Sequence, residues 1–213
     1  MQSVPSILHP VKAVLFDLDG TLVHSSLDFP RIREEIACPE GEDLLHFVST
    51  LSADRKKQAE QIIHRHELED AYSARIIDGA FELLMRLDDS GIRTGIITRN
   101  SAEATRIKMH ACGLQVEHVI TREDAPPKPD PGALLMLSEA WALETECCVY
   151  VGDYIYDLQA AKNAGMHACL YHDTKNASKA SPWFIELADF VCNDFDVFEF
   201  GLQEYLSAKV FSR

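Results

Sequence analysis

The chain is short of positive charge, of long apolar runs and of paired cysteines, and each shortage removes a class of function. Lysine and arginine number 20 against 34 aspartate and glutamate residues, a formal charge of −14. A field of that sign repels polyanions, so nucleic-acid polymers and anionic membrane surfaces are not expected as partners. No stretch approaches the about 18 consecutive apolar residues of a membrane-spanning helix. The opening MQSVPSILHP carries no basic region followed by an apolar run, so a cytoplasmic location is the expectation. Six cysteines (Cys38, Cys112, Cys147, Cys148, Cys169 and Cys192) are scattered without a C-x-x-C pair. That spacing argues for reduced thiols rather than a disulfide framework or a thiolate metal site.

With 213 residues, 46% of them hydrophobic, the chain can bury one substantial core and a small appendage. Val11 to Phe16 (VKAVLF) is a short apolar run bounded by Pro10 and the turn DLDGT, as expected of a strand buried on both faces. Similar runs follow at Gly91 to Thr98, Val116 to Thr121, Cys147 to Val151 and His167 to Tyr171. Helical patterns separate them: Ala80 to Ser90, Ser101 to Cys112, Asp130 to Leu143 and Tyr156 to Ala164. Asp130 followed by Pro131 reads as an N-cap and first helical residue. Alternating strands and helices predict an α/β fold, a Rossmann-like doubly wound parallel sheet built from right-handed crossovers.

From about Ser25 to Asp78 the alternation stops, and only helical patterns remain, started by Asp28 or Pro30, by Glu42 and by Ser52. A small inserted α-helical cap is expected at residues 23–78, with the core at 1–22 and 79–213. Near the C-terminus, Ala188 to Cys192 can add a last strand and Phe195 to Leu206 a final helix.

Ligands of open parallel sheets bind beyond the carboxyl ends of the strands, which makes the strand-ending residues the ones to inspect. Here they are polar: Asp17-Leu18-Asp19-Gly20-Thr21, then Thr98-Arg99-Asn100, then Gly152-Asp153 with Asp157 four residues on, and Lys128 just ahead of a helix. One D-x-D is an ordinary turn feature. Four carboxylates gathered at one edge repel one another, and a fold gains nothing from that crowding without a cation to offset it. Hard oxygen ligands with no His/Cys cluster indicate Mg²⁺. His64 and His66, two residues apart, point to different faces of a helix and read as surface or packing residues.

DLDGTL at Asp17 to Leu22, ITRN at Ile97 to Asn100, KPDP at Lys128 to Pro131 and VGDYIYD at Val151 to Asp157 resemble, in order and spacing, the four motifs of the haloacid dehalogenase superfamily. The helical insertion resembles the cap of its phosphoglycolate phosphatase-like branch. The resemblance implies a hydrolase acting on phosphate monoesters. In it Asp17 is the nucleophile and forms an aspartyl-phosphate, and Asp19 protonates the leaving oxygen and then activates water. Asp17 and Asp153 hold the metal through side chains and Asp19 through its backbone carbonyl. Asp157 ligates the metal, holds a metal-bound water or accepts from Lys128. Thr98 and the backbone of Arg99 and Asn100 meet substrate phosphate, and Lys128 offsets its charge.

The first motif continues through His24, where many relatives carry an aspartate, and Tyr154 and Tyr156 replace the small residues common in the fourth. Arg99 is placed either to touch phosphate or to pair with a carboxylate. Arg31, Arg33 and Arg75 of the insertion are candidates for reading the rest of the substrate, against the plainer reading of solvated helix residues. The expected partner is a small phosphorylated metabolite such as phosphoglycolate, a sugar phosphate or a nucleotide, with the chain acting as a monomer or homodimer. The rivals are a dehalogenase, which needs neither metal nor Asp19, a phosphomutase, and a phosphate-binding regulatory protein without turnover.

Overall fold

The computed structural model describes residues 11–172 and 182–211. Six strands form one parallel sheet in the order β5-β4-β1-β6-β7-β8. They are β1 Ala13–Phe16, β4 Arg93–Ile97, β5 His118–Ile120, β6 Cys148–Gly152, β7 His167–Tyr171 and β8 Phe190–Cys192. Every residue of β1, β6 and β7 is buried, as continuous apolar strands require when helices cover both faces. Successive residues of β1 serve opposite faces. Val14 and Phe16 pack with Leu83 and Leu87 of α4 (Ala80–Asp89) and with Phe198 and Leu202 of α9 (Phe198–Phe211). Ala13 and Leu15 pack with Leu134 and Leu137 of α6 (Gly132–Ala140) and with Leu158 and Ala161 of α7 (Ile155–Ala164).

From β1 the chain first builds outward through β4 and β5, then crosses to the other side of β1 to lay down β6, β7 and β8. The order therefore reverses between β1 and β6, which pair with Phe16 opposite Val151. A crevice opens beyond the carboxyl ends of strands at such a point.

Between β1 and α4 the chain leaves the sheet through β2 (Val23–His24) and returns through β3 (Arg75–Ile76), an antiparallel ribbon pairing Val23 with Ile76. This ribbon was not legible in the sequence pattern. Three helices lie between its strands: α1 Phe29–Ile36, α2 Leu44–Thr50 and α3 Ala53–Ala71. Asp28 caps α1 by accepting from Arg31 N at 3.0 Å, and Asp43 caps α2 by accepting from His46 N at 2.9 Å. Their apolar faces close on a separate small core of Ile32, Ile36, Leu44, Val48 and Ile63.

Some elements differ from their sequence reading. The helix expected over Asp130 to Leu143 spans Gly132–Ala140 with Pro131 at the N-cap, because Asp130 turns its carboxylate to Gly132 N at 2.8 Å. The C-terminal strand is present, the final helix follows a short 3₁₀ turn at Phe195–Val197, and an unexpected helix, α8, spans Pro182–Leu187. Among the described residues no helix is long and apolar enough to cross a membrane.

Candidate active site

The carboxyl end of β1 turns sharply. Leu22 N and Val23 N both donate to Leu18 O at 2.9 Å, and Gly20 takes φ +80°. A Cβ at Gly20 would lie 2.2 Å from Asp153 Oδ2, so only glycine lets the Asp17 turn and the end of β6 meet. Gly152 does the same one strand over, since a Cβ there would stand 2.3 Å from Cβ and Cγ of Asp157. Asp157 sits in the first turn of α7 and accepts from Tyr154 N at 3.0 Å, a position that also suits a negative charge electrostatically. These two close approaches bring one carboxylate oxygen each from Asp17, Asp153 and Asp157 within 4.8 Å of one another.

Lys128 reaches this group from the loop after β5. Its Nζ lies 2.6 Å from Asp17 Oδ1, 2.6 Å from Asp157 Oδ1, 2.8 Å from Tyr150 Oη and 3.1 Å from Ile97 O. Of the three readings open for Asp157, acceptance from Lys128 is the contact present. One ammonium thus faces three buried or half-buried carboxyl groups. Burial pushes the Asp17 carboxyl up to about 7, with Lys128 opposing and Asp157 and Asp19 adding to the rise. Burial and the charges of Asp17 and Asp157 push Asp153 well above the ordinary carboxylate range. For Lys128, the neighbouring carboxylates outweigh burial and hold the ammonium charged. A surplus of buried negative charge with oxygen donors this close fits a hard divalent cation.

Asp19 stands on the other side of the turn. Its Oδ2 accepts from Asn100 Nδ2 and its Oδ1 from Lys108 Nζ, each at 2.5 Å. Thr98 Oγ1 lies 3.1 Å from Asn100 Nδ2 and 3.2 Å from Asn100 N, so Thr98 and Asn100 brace each other at the end of β4. Arg99 points to the insertion, where Nη2 meets Asp43 Oδ1 and Oδ2 at 2.7 and 2.6 Å while the guanidinium lies 4.9 Å from the Tyr156 ring centre. Of its two sequence readings, the carboxylate pairing is therefore the one present. Tyr154, half-exposed, packs edge-on against Tyr156 with ring centres 5.2 Å apart.

Sequence reasoning missed a second buried cation. Lys108 of α5 (Ala102–Ala111) is fully buried and also meets Asp70 Oδ2 of α3 at 2.7 Å. Asp70 in turn accepts from Ser25 Oγ at 3.0 Å and from Ser26 N at 2.6 Å. The available signal was a lysine four residues after Ala104, on the buried face of α5 beside Thr105. Glu67 of α3 was missed too. It takes the Ser101 N–H at 3.2 Å and pairs with Arg122. Elsewhere His64 meets Ser101 and Glu103, His66 meets Glu35 within the insertion, and Arg31 pairs with Glu35 on its surface.

These groups enclose a cavity of about 610 Å³ between the sheet edge and the insertion, reached by Asp17, Asp19, Thr98, Lys128, Asp153 and Asp157 from one side. That volume lies within the range of small-molecule sites.

A model of haloacid dehalogenase-like hydrolases matches residues 14–171, and the chain belongs to that family. Among individual relatives, it is 31% identical over 176 residues to a haloacid dehalogenase-like hydrolase domain-containing protein of Arabidopsis thaliana, covering 77% of this chain and 72% of that one. A phosphoglycolate phosphatase of Xanthomonas campestris is 28% identical over 177 residues, covering 73% and 80%. A hydrolase structure from Pseudomonas syringae superposes with a TM-score of 0.74 over 92% of this chain and 98% of its own, at 20% identity, a likeness of fold.

Proposed function

We propose that this hydrolase is a Mg²⁺-dependent phosphatase that cleaves a small phosphomonoester through an aspartyl-phosphate on Asp17. The observation that carries the reading is the meeting of Asp17, Asp153 and Asp157 with Lys128 at the strand-order reversal, in a cavity lined on its other side by the helical insertion. The phosphatase names of relatives such as the Xanthomonas campestris protein support it.

A carboxylate oxygen of Asp17 attacks phosphorus, the bond from phosphorus to the ester oxygen breaks, and the leaving oxygen takes a proton from Asp19. Asp19 then accepts a proton from water as that water attacks phosphorus, the aspartyl–phosphorus bond breaks and inorganic phosphate is released. Lys128 offsets charge on the transferring group and holds Asp17 in place, while Thr98 and the backbone N–H groups after it face a phosphate oxygen. Asp17 and Asp153, with the Asp19 carbonyl and with Asp157 beside them, would hold the Mg²⁺, which would supply further positive charge against the phosphoryl oxygens. Residues 23–78 act as a cap over the core formed by 1–22 and 79–213, keeping bulk solvent out while admitting the one water that hydrolyses the intermediate.

The test is phosphate release from a panel of phosphomonoesters with Mg²⁺ or EDTA, with Asp17→Asn run beside the native chain. Metal-dependent release that the substitution abolishes is the expected result. Metal-dependent transfer to a second hydroxyl without release would make the chain a mutase, and binding without either would make it a phosphate-binding protein.

A further inference from the structure

Asp19 is the carboxyl that, on the phosphatase reading, gives its proton to the leaving oxygen, yet in this arrangement both of its oxygens are taken. Asn100 Nδ2 holds Oδ2 and Lys108 Nζ holds Oδ1, each at 2.5 Å. The Asp19 side chain keeps 20% of its surface open and lines the cavity, whereas Lys108 is fully buried. If Asp19 turned an oxygen to the ester and Lys108 had no other carboxylate, a buried ammonium would stand uncompensated. The other carboxylate is Asp70, in the last turn of α3, whose Oδ2 lies 2.7 Å from Lys108 Nζ. Asp70 is held in place independently of Lys108. Ser26 N and Ser26 Oγ donate to its Oδ1 at 2.6 and 2.9 Å, and Ser25 Oγ donates to its Oδ2 at 3.0 Å. Neither Lys108 nor Asp70 lines the cavity, so neither is placed to touch a substrate.

Resting on the phosphatase reading, we infer that Asp70 is a positioning residue for Asp19: by keeping Lys108 paired, it lets the Asp19 carboxyl turn from the lysine to the leaving oxygen. With Asp70 present, the ammonium keeps one charged partner throughout that turn. Without Asp70, Lys108 grips Asp19 alone, and each departure of Asp19 strands the ammonium. Loss of Asp70 therefore acts on the protonation of the leaving oxygen and spares the attack by Asp17.

The experiment compares kcat/KM for benzyl phosphate and 4-nitrophenyl phosphate, esters of similar size, in the native chain and in Asp70→Asn. The nitrophenolate departs without a proton and the benzyl alkoxide needs one, while kcat/KM ends with transfer to Asp17, before Asp19 acts on water. Both esters are read in one preparation, so the folded fraction cancels from their ratio. In Asp70→Asn the ratio of benzyl to nitrophenyl turnover should fall about a hundredfold, the low end of what a positioned acid contributes. Asp70→Asn combined with Lys108→Met removes the ammonium as well, and should return the ratio toward the native value. A ratio in Asp70→Asn close to native overturns the positioning role while leaving the phosphatase intact. A double variant with the ratio still lost overturns it too, since Asp70 then does not act through Lys108, and this arm decides the matter if Asp70→Asn does not fold. Absence of release from either ester by the native chain sinks the phosphatase reading and this inference with it.

Discussion

Replacing Lys108 by methionine keeps most of the side-chain volume and deletes the ammonium that Asp19 and Asp70 share at 2.5 and 2.7 Å. Lys108 is fully buried and Asp70 is 5% exposed, so the vacated charge is not replaced by water. Removing one partner of a buried ion pair costs about 3–5 kcal/mol because the other is left uncompensated. The Ser25 and Ser26 donors to Asp70 remain, which places the expectation near the lower end, about 3 kcal/mol. In urea, with a slope of about 3 kcal/mol per M, the midpoint should fall by roughly 1 M with the slope unchanged. The pH dependence carries the sign. Burial raises the Asp70 carboxyl, but the hydrogen bond and charge of Lys108, helped by Ser26, bring it below its ordinary 3.8. A depressed carboxylate stabilises the fold above its unfolded value and loses that contribution as pH falls through the folded value. The difference between native chain and variant should therefore shrink as pH drops below 3.8, the unperturbed value for this group. A loss under about 1 kcal/mol, the range of exposed pairs, or a gap that stays constant into acid, would refute the argument.

Two further outcomes follow from the same geometry. Asp153→Asn removes one of three crowded carboxylates that Lys128 opposes; without metal it should raise the thermal midpoint, and, on the Mg²⁺-dependent reading proposed above, it should abolish the rise expected from Mg²⁺ in the native chain, about 2.7 kcal/mol at a hundredfold excess over Kd. A differential scan with and without EDTA reads both, and a metal-free variant no more stable than the native chain contradicts the crowding. Gly20→Ala places a Cβ 2.2 Å from Asp153 Oδ2 at φ +80°; activity should fall at least tenfold with a stability loss above about 1 kcal/mol, and native-like turnover would show that the turn can shift without the site.

Much of the fold was legible because its signals are local. Continuous apolar strands such as Cys148–Gly152, closed by turn residues and alternating with helices, can pack only as a covered parallel sheet, and the helical insertion announced itself by the absence of β-branched runs. The β2–β3 ribbon was not legible, since strands of two residues carry no period, and Val23 pairs with Ile76 across the whole helical insertion. The start of α6 was misread because Asp130 can satisfy either a helix N-terminus or a local turn, and here its carboxylate accepts from Gly132 N.

The candidate site divides along the same line. Asp17, Asp153, Asp157 and Lys128 were legible because each ends a strand or begins a helix at the sheet edge, and topology alone then brings them together. Lys108, Asp70, Glu67 and Asp43 were not, because the helical spacing that puts Lys108 on the buried face with Ala104 and Thr105 does not say which carboxylates from distant segments will meet it. Their partners lie 89 residues away in the case of Asp19 and 56 residues away for Asp43 and Arg99. These are the pairs that seat the helical insertion on the core: Lys108 with Asp70, Arg99 with Asp43, and Arg122 with Glu67. The residues that seat the insertion thus also position Asp19 and occupy Arg99. A chain of this charge places its cations sparingly, and here Lys108 joins Asp70 of the insertion to Asp19 at the end of β1, while Arg99 joins Asp43 of the insertion to the end of β4.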